Sequence, residues 1–376
     1  MIPVRTLADN MQADIDLTTG KENHSAKFQV KITNKNEFIS LYRYGRTTRP
    51  HPCTMEFRTP LHIKPSRFKI GYDTPGLVCG SCFAERIGQK MLAHKMPVTL
   101  NPYGILFNPA SIAGMLDNLK VSRSFSKRDL IRHNGRWISL QHHGSFSADE
   151  AENLLQAIET ATRQGHESLE RSNYLIVTWG TAWVYEHTAT GMIAANCHKL
   201  PESVFRRRRL TPEEIVRLWE KPLSTYLEDK EVIFTVSPVR HLRDGLAENQ
   251  LSKATLIVAA HTLRERFANC RYFPAYEIMM DDLRDYRFYD RDMTHPSETA
   301  ADYIWERFCE WAIAPAATGT MRRIEALQQA LAHRPIHPGS DAHKVFRQRL
   351  RGEIQALSET YPELDFSEEL NCSAHF

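Results

Sequence analysis

A serine, an aspartate and a histidine in this chain have the residue types and local settings of a nucleophilic catalytic site. Ser81 follows the apolar run Leu77-Val78-Cys79 and a glycine, and a helix-like stretch begins after it. Backbone N–H groups at a helix N-terminus are free to face an anion. Asp292 and His295 are three residues apart, so one tight turn lets the carboxylate orient the imidazole. These are the parts of a serine hydrolase.

The same segment contains two cysteines, which open a second line of chemistry. Cys79 and Cys82 have the spacing of a thioredoxin-type redox pair, in which a helix N-terminus lowers the pKa of one thiol. Together with Cys197 and His198 they also provide four possible zinc ligands. One CxxC motif and a distant Cys-His pair are weak support for such a site. We rank both readings below a packing role for the thiols, and we predict no metal site.

Short apolar runs rich in β-branched residues alternate with helical patterns, which predicts an α/β fold. The predicted strands are 76–79, 174–179, 231–237 and 271–276, and the predicted helices are 84–94, 148–163, 212–226, 251–267, 300–313, 321–332 and 341–360. Such strands are typical of a parallel sheet covered on both faces. Ligands bind beyond the carboxyl ends of these strands, where residues 80–81, 179–181 and 237–241 follow.

The overall composition is that of an ordinary globular protein. The 376 residues are 42% hydrophobic and 25% charged, and the formal net charge is +3. So small a charge predicts no nucleic-acid partner, and the basic run 206–209 is typical of a solvated face. No stretch has the length of a membrane span, so we expect no membrane partner. The seven cysteines are odd in number and scattered, which favours reduced thiols and a cytoplasmic location.

Three segments of the chain differ in polarity and in the pattern of their apolar residues. Residues 1–54 are polar and poor in periodic apolar positions, so we expect a poorly ordered or peripheral extension. One hypothesis is that Met55 is the natural start. Residues 55–315 carry the α/β pattern and are the predicted hydrolase domain. Residues 316–376 hold two amphipathic stretches separated by a breaker at 333–339, and we predict a C-terminal helical appendage packed on that domain.

Several separate motifs resemble those of one known family. The segment Gly80-Ser81-Cys82-Phe83-Ala84 is the signature that names the GSCFA domain family, a branch of the SGNH/GDSL-like hydrolase superfamily. Further blocks resemble the family in the right order, at 55–60, 101–109, 237–241, 272–277 and 292–297. The resemblance covers the chain from residue 55 to the C-terminus. Its specificity comes from the number and order of the motifs.

The resemblance implies a flavodoxin-like, three-layer α/β/α fold with a mostly parallel central sheet, as in SGNH hydrolases, plus the C-terminal helices. It also implies that Ser81 is the nucleophile, that His295 is its general base and that Asp292 orients the histidine. The oxyanion hole, which stabilises negative charge on the substrate oxygen, would take the backbone N–H groups of Ser81 and Gly104.

The third block departs from the superfamily pattern. It usually reads Gly-x-Asn-Asp, and its asparagine donates to the oxyanion, whereas this chain has Gly180-Thr181-Ala182-Trp183. Loss of one oxyanion donor costs on the order of 3 kcal/mol of transition-state stabilisation. Asn108 and Asn196 are the candidate replacements, and we assign Asn108 to the predicted oxyanion hole.

Four side chains near strand ends are predicted to contact the substrate: Thr181, Trp183, Arg240 and His241. Arg240 and His241 suit a carbohydrate hydroxyl or a carboxylate, and an ordinary structural ion pair explains them about equally well. Trp183 is predicted to line the pocket, against the alternative that it belongs to the core.

We therefore expect a serine esterase that hydrolyses a small acyl ester, with an O-acetyl group on a carbohydrate as the candidate substrate by analogy with the superfamily. We expect no cofactor, and the oligomeric state stays open. Two alternatives remain. One is a non-catalytic carbohydrate- or ligand-binding protein of the same fold, which the missing asparagine supports. The other is a thiol-redox protein that uses Cys79 and Cys82.

Overall fold

The computed structural model describes residues 58–333 and 340–375. The extension predicted for residues 1–54 and the start proposed at Met55 lie outside the described residues. The strands are β1 (Gly76–Gly80), β2 (Val98–Leu100), β3 (Ile131–His133), β4 (Arg136–Ile138), β5 (Ser147–Ala148), β6 (Tyr174–Trp179), β7 (Trp183–His187), β8 (Ile193–Ala194), β9 (Phe205–Arg209), β10 (Glu231–Val236) and β11 (Cys270–Phe273). The α-helices are α1 (Cys82–Ala93), α2 (Pro109–Lys120), α3 (Ala151–Arg171), α4 (Pro212–Ser224), α5 (Gly245–Arg266), α6 (Ala275–Glu277), α7 (Glu298–Ala312), α8 (Pro315–Ala332), α9 (Asp341–Thr360) and α10 (Ser367–His375).

A five-stranded, all-parallel sheet in the order β2-β1-β6-β10-β11 forms the centre of the described chain. Flavodoxin-like sheets have this order, and a ligand site follows where the order reverses beside the first strand. The register pairs Gly80 with Thr178 and Trp179 with Val236. The carboxyl ends of β1, β6 and β10 therefore lie side by side, and the segments that follow them meet at one edge.

Helices pack on both faces of this sheet. Successive strand residues point to opposite faces, so each strand contributes side chains to both helical layers. Val78 and Ile176 pack with α1 and α7, whereas Leu77 and Val177 pack with α2, α4 and α5. β1 and β6 are buried at every position, as expected for strands covered on both sides. The predicted three-layer α/β/α fold class is confirmed.

The C-terminal helices share a core with the domain that precedes them. Ile324 of α8 and the α9 residues Ile354 and Leu357 belong to the same apolar cluster as Trp305 of α7. Within residues 58–333 and 340–375, no helix has the length and apolar character that crossing a membrane requires.

Two small antiparallel sheets, β3-β4-β5 and β8-β7-β9, were not predicted from the sequence. The second contains the basic run, which forms β9. Its arginines pair with acids: Arg206 and Arg208 with Glu186, Arg207 with Asp244, and Arg209 with Glu248. The run is therefore part of an ion-pair network on a strand, and its charge is largely compensated within the protein.

The start of α3 differs from the prediction. The spacing of Ser147 and Glu150 predicts a capping box and a helix from residue 148, but Ser147 and Ala148 form β5 and the helix begins at Ala151. The capping box does occur at α4. There the Thr211 side chain accepts from the Glu214 N–H, and the Glu214 carboxylate accepts from the Thr211 N–H.

Candidate active site

The turn between β1 and α1 places Ser81 at the carboxyl edge of the sheet. Gly80 ends β1 with φ of +136°, and a Cβ atom there would lie 2.2 Å from the carbonyl oxygen of Thr178. Only glycine fits this position, and the chain turns so sharply that the next residue, Ser81, becomes the N-cap of α1. Ser81 is 1% exposed, so it lies in a largely water-excluded position.

The Ser81 hydroxyl caps the N-terminus of α1. Its Oγ accepts from the Phe83 N–H at 3.3 Å, which is a long hydrogen bond. Among the described residues, no acceptor takes the Ser81 hydroxyl proton. The capping role and a nucleophilic role are therefore compatible, because the first uses an oxygen lone pair and the second requires loss of the proton.

Asn101 supports the Ser81 turn and was not identified from the sequence. Its Oδ1 accepts from the Gly80 N–H at 2.9 Å, and its Nδ2 donates to the Glu85 carboxylate at 2.7 Å. Asn101 is buried and has φ of +43°. Asparagine tolerates this left-handed region better than most residues. The asparagine at this position was therefore the signal in the sequence that the chain turns here. The side chain ties the end of β1 to the first turn of α1.

Asp292 and His295 are in contact within one exposed turn. Asp292 Oδ2 lies 2.6 Å from His295 Nδ1, and Asp292 Oδ1 accepts from the backbone N–H groups of Thr294 and His295 at 2.8 and 2.9 Å. Hydrogen bonds from the His295 side chain, and then from the two backbone N–H groups, lower the pKa of Asp292 to about 2. The carboxylate is therefore ionised at neutral pH and favours the tautomer with the proton on Nδ1, which leaves Nε2 as an acceptor.

The turn that carries His295 is attached to the sheet edge and to α1. The Arg240 N–H, just beyond β10, donates to the Thr294 carbonyl at 3.0 Å. The Arg240 guanidinium lies 3.6 Å from the ring centroid of Tyr289, in the same loop. From α1, Arg86 Nη1 donates to the Pro296 carbonyl at 2.7 Å. The helix that begins at Ser81 and the loop that holds His295 are thus joined directly.

His241 and Ser81 both lie next to Gly180. A Cβ atom at Gly180 would be 3.3 Å from Ser81 Cβ and 3.4 Å from His241 Nε2. The absence of a side chain at Gly180 therefore lets the serine and the imidazole pack closely around the same point. The Nε2 atom is buried and has no hydrogen-bond partner in the described part of the chain. Burial, and then the proximity of Lys253 and His295, lower the pKa of His241 to about 3.

A fully buried lysine, not identified from the sequence, also contacts Gly180. Lys253 Nζ donates to the carbonyl of Gly180 at 2.6 Å and to the carbonyl of Ser237 at 2.7 Å. Burial lowers the pKa of Lys253 to about 7. Because these carbonyls follow β6 and β10, the lysine fixes the relative position of the two strand ends that border the site.

The predicted oxyanion-hole donors are engaged inside the protein. The Ser81 N–H donates to the Thr178 carbonyl at 3.1 Å, and the Gly104 N–H donates to the Asn101 carbonyl at 2.7 Å. The Asn108 side chain caps α2 by accepting from the Ser111 N–H and donating to the Ser111 hydroxyl. In this conformation none of these groups is the free donor that the prediction requires, because each already satisfies a neighbouring backbone or side-chain group.

Thr181 and Trp183 also have structural partners. The Thr181 hydroxyl is 3.1 Å from the Ser252 hydroxyl, and the Trp183 ring lies 4.1 Å from the Arg207 guanidinium. Trp183 therefore packs in the small β8-β7-β9 sheet, and its contact with substrate stays a prediction. The other candidate replacement donor, Asn196, accepts from the His198 N–H at 2.8 Å.

Ser81 and His295 do not form a hydrogen bond with each other anywhere in the described hydrogen-bond network. His295 is 45% exposed as a side chain, and its proximity lowers the pKa of His241, which like Ser81 lies next to Gly180. Catalytic hydrogen bonds are often long in the free protein and tighten when substrate binds. The site thus combines a buried serine with an exposed histidine that a carboxylate orients.

The thiols have the character of packing residues. Burial raises the pKa of Cys79 to about 12 and also raises the pKa of Cys82, so the helix N-terminus does not produce a stabilised thiolate at either position. Both thiols are free. Within the described residues, no group of three or more histidine, cysteine or acidic side chains is arranged to hold a metal ion.

The protein is a parallel α/β domain that brings a serine turn and an Asp-His turn to the carboxyl edge of one sheet. The sequence profile of the GSCFA family matches residues 76–308, which is more than half of the chain. A second profile, described as the C-terminal domain of GSCFA domain proteins, matches residues 324–373. The chain therefore belongs to the GSCFA family, and the predicted family is confirmed. No curated protein matches it.

Proposed function

We propose that this protein is a serine esterase of the SGNH type that hydrolyses small acyl esters. The observation that carries the proposal is the 2.6 Å contact between Asp292 and His295, in a turn bonded to the strand end next to the site of Ser81. An ionised carboxylate that is fixed by two backbone N–H groups can serve to orient a general base and stabilise its protonated form.

In the proposed reaction, His295 Nε2 takes the proton of Ser81 as Oγ attacks the ester carbonyl carbon. The carbonyl oxygen becomes negatively charged, and Asp292 stabilises the imidazolium. The carbon–oxygen bond to the alcohol then breaks, and the alcohol oxygen takes the proton from His295. His295 then takes a proton from a water molecule as the water attacks the acyl carbon. The acid leaves as Ser81 Oγ takes the proton back from His295.

The start of α1 supports negative charge at this place. The N–H groups of the first helical turn have no carbonyl partner within the helix, and the helix dipole adds positive potential there. Ser81 is the N-cap, so an oxyanion formed on a carbonyl bonded to its Oγ lies close to this helix end.

An O-acetyl group on a carbohydrate is the proposed substrate class. Tyr286 is an exposed aromatic residue, and its ring lies 5.2 Å from the Arg240 guanidinium, which also contacts Tyr289. An aromatic face next to a cation suits the stacking and hydrogen bonding of a sugar. The six cysteines in the described chain are all free, which supports a reducing, cytoplasmic location for the activity.

A second candidate is a protein that binds such ligands without turnover. The observation that favours it is the engagement of the Ser81 N–H, the Gly104 N–H and the Asn108 side chain in internal hydrogen bonds. A site of this kind would bind an acylated sugar and release it unchanged.

The test is hydrolysis of p-nitrophenyl acetate by the full-length protein and two variants. The proposal expects turnover by the wild type and by Cys82→Ser, and loss of turnover in Ser81→Ala. Cys82 is the matched control because it lies beside Ser81 and is also a small nucleophile. Absence of turnover in the wild type contradicts the esterase. Turnover that survives Ser81→Ala and is lost in Cys82→Ser assigns the reaction to the thiol.

A further inference from the structure

The buried Nε2 atom of His241 is a polar group with no partner at the centre of the candidate site. A buried nitrogen that makes no hydrogen bond costs about 1–3 kcal/mol of stability, so such atoms call for an explanation. His241 is otherwise firmly held, because its backbone N–H donates to Asn249 Oδ1 at 2.9 Å and its ring meets Phe107 edge-on at 6.1 Å. The ring is positioned, but its inner nitrogen is left unpaired.

This nitrogen lies close to Ser81. Ser81 Cβ and His241 Nε2 lie 3.3 and 3.4 Å from the same point, the position of a Cβ atom at Gly180. Even a methyl group at Gly180 would press on both groups. The glycine therefore allows the serine and the imidazole nitrogen to approach the same point of the backbone closely.

We propose that His241 Nε2–H donates a hydrogen bond to the oxyanion that forms when Ser81 attacks an ester carbonyl. This inference rests on the proposed esterase function. It gives His241 a catalytic role in place of the general contact with substrate that the sequence predicts. No proton is transferred at this residue, since the hydrogen bond only forms and breaks as the negative charge appears and disappears.

The surroundings of the ring suit a neutral donor and not a second base. Burial, and then the nearby Lys253 and His295, oppose a positive charge on His241, while Asp244 and the backbone of Gly180 offset this only in part. A neutral imidazole carries one N–H, and the role requires the tautomer with that proton on Nε2. Lys253 is a poorer candidate, because its Nζ already donates to two carbonyl groups.

The test compares steady-state hydrolysis of p-nitrophenyl acetate by the wild type, His241→Leu and His241→Gln. Removal of one oxyanion donor lowers kcat by about 10²–10³-fold, so we expect a loss of this size in His241→Leu with KM changed less than about threefold. Glutamine keeps an N–H donor on a side chain of similar length, and we expect it to recover at least about tenfold of the lost kcat. Far-ultraviolet circular dichroism and urea titration show whether both variants are folded.

Three outcomes overturn the inference and differ in what they say of the esterase. Unchanged kcat in folded His241→Leu, or an effect confined to KM, removes the oxyanion role while Ser81-dependent turnover of the wild type leaves the esterase in place. Equal loss in folded His241→Gln and His241→Leu also removes the donor role. Absence of Ser81-dependent turnover in the wild type overturns the function and this inference together.

Discussion

The Asp292 carboxylate holds the His295 imidazole at 2.6 Å, Oδ2 to Nδ1, and its second oxygen is fixed by two backbone N–H groups. The two residues are three positions apart in the sequence, so the turn itself sets the geometry of the pair. The position of this pair in space depends on longer-range contacts, in particular the Arg240 N–H to Thr294 carbonyl bond of 3.0 Å.

Asp292→Asn is expected to lower kcat by about 10⁴-fold with little change in fold. The asparagine oxygen can still accept from the backbone N–H groups of Thr294 and His295. Its NH₂ group would instead donate to His295 Nδ1, so the imidazole proton moves to Nε2 and the base cannot accept the Ser81 proton. Steady-state kinetics on p-nitrophenyl acetate measure the loss. The matched control is Asp290→Asn, because Asp290 lies in the same loop and its side chain bonds only to Arg291 N–H within the described residues. Equal losses in both variants would contradict the assigned role.

Gly180→Ala is expected to lower kcat at least about tenfold while leaving stability nearly unchanged. The new Cβ would lie 3.2 Å from the Phe107 carbonyl, 3.3 Å from Ser81 Cβ and 3.4 Å from His241 Nε2, so these groups must shift by a few tenths of an ångström. Small displacements of reacting groups are costly in catalysis. Gly114→Ala is the control, since no atom lies within 4 Å of its added methyl group. Wild-type kcat in Gly180→Ala would show that this space is not used.

Asn101→Ala is expected to reduce the free energy of unfolding by about 2 kcal/mol or more. The change removes the acceptor of the buried Gly80 N–H, and it puts alanine into a left-handed conformation. Asn134→Ala separates the two effects, because Asn134 has a similar φ of +48° in an exposed turn and no side-chain hydrogen bond in the described residues. Urea unfolding measures both. Equal losses in the two variants would mean that the bond to Gly80 contributes nothing.

His142→Phe is expected to make stability less sensitive to acid. Burial, and then the proximity of His198 and Arg123, lower the pKa of His142 to about 3, against about 6.5 in an unfolded chain. Between these values the unfolded chain binds a proton that the native ring does not, so stability falls as the pH falls. Phenylalanine retains the packing of the ring on Tyr103, whose centroid is 4.1 Å away, and it loses the 2.7 Å hydrogen bond between His142 Nδ1 and the Ser139 hydroxyl at both pH values.

The measurement for His142 is urea unfolding of wild type and variant at pH 7 and pH 4.5. The variant is expected to lose less stability over this range by about 2.5 kcal/mol, since pH 4.5 lies two units below the unfolded pKa and each pKa unit corresponds to about 1.4 kcal/mol. Parallel losses in the two proteins would show that His142 is not the group that titrates.

Much of the fold is predictable from the sequence because its central strands are buried on both faces. Such strands are continuous apolar runs, and the predicted run 174–179 coincides with β6. The strand β2, the sheet β3-β4-β5 and the strand β8 were not predicted, because strands of three residues or fewer carry little periodic signal. The five-residue strands β7 and β9 were missed as well, and the four consecutive arginines of β9 show no apolar alternation. The local pairing of Asp292 with His295 was also predictable, since the two residues lie three positions apart in one turn of four residues.

The rest of the site depends on contacts between segments distant in sequence. Lys253 is one lysine within helix α5, and nothing in the local sequence indicates that its Nζ reaches the Gly180 carbonyl, 73 residues away. The commitment of the Ser81 N–H to Thr178 arises from the β1–β6 register. The unpaired state of His241 Nε2 also depends on residues distant in sequence, since Gly180 lies next to it.

The most direct test of the central claim is the reaction of the full-length protein with a fluorophosphonate probe, followed by peptide mass spectrometry. Fluorophosphonates form a covalent bond with a serine whose hydroxyl is activated by a neighbouring base. The account predicts a single adduct on Ser81 that forms at least about a hundredfold more slowly in His295→Ala. An unmodified Ser81, or an adduct on another residue that forms equally fast in Ser81→Ala, would contradict it.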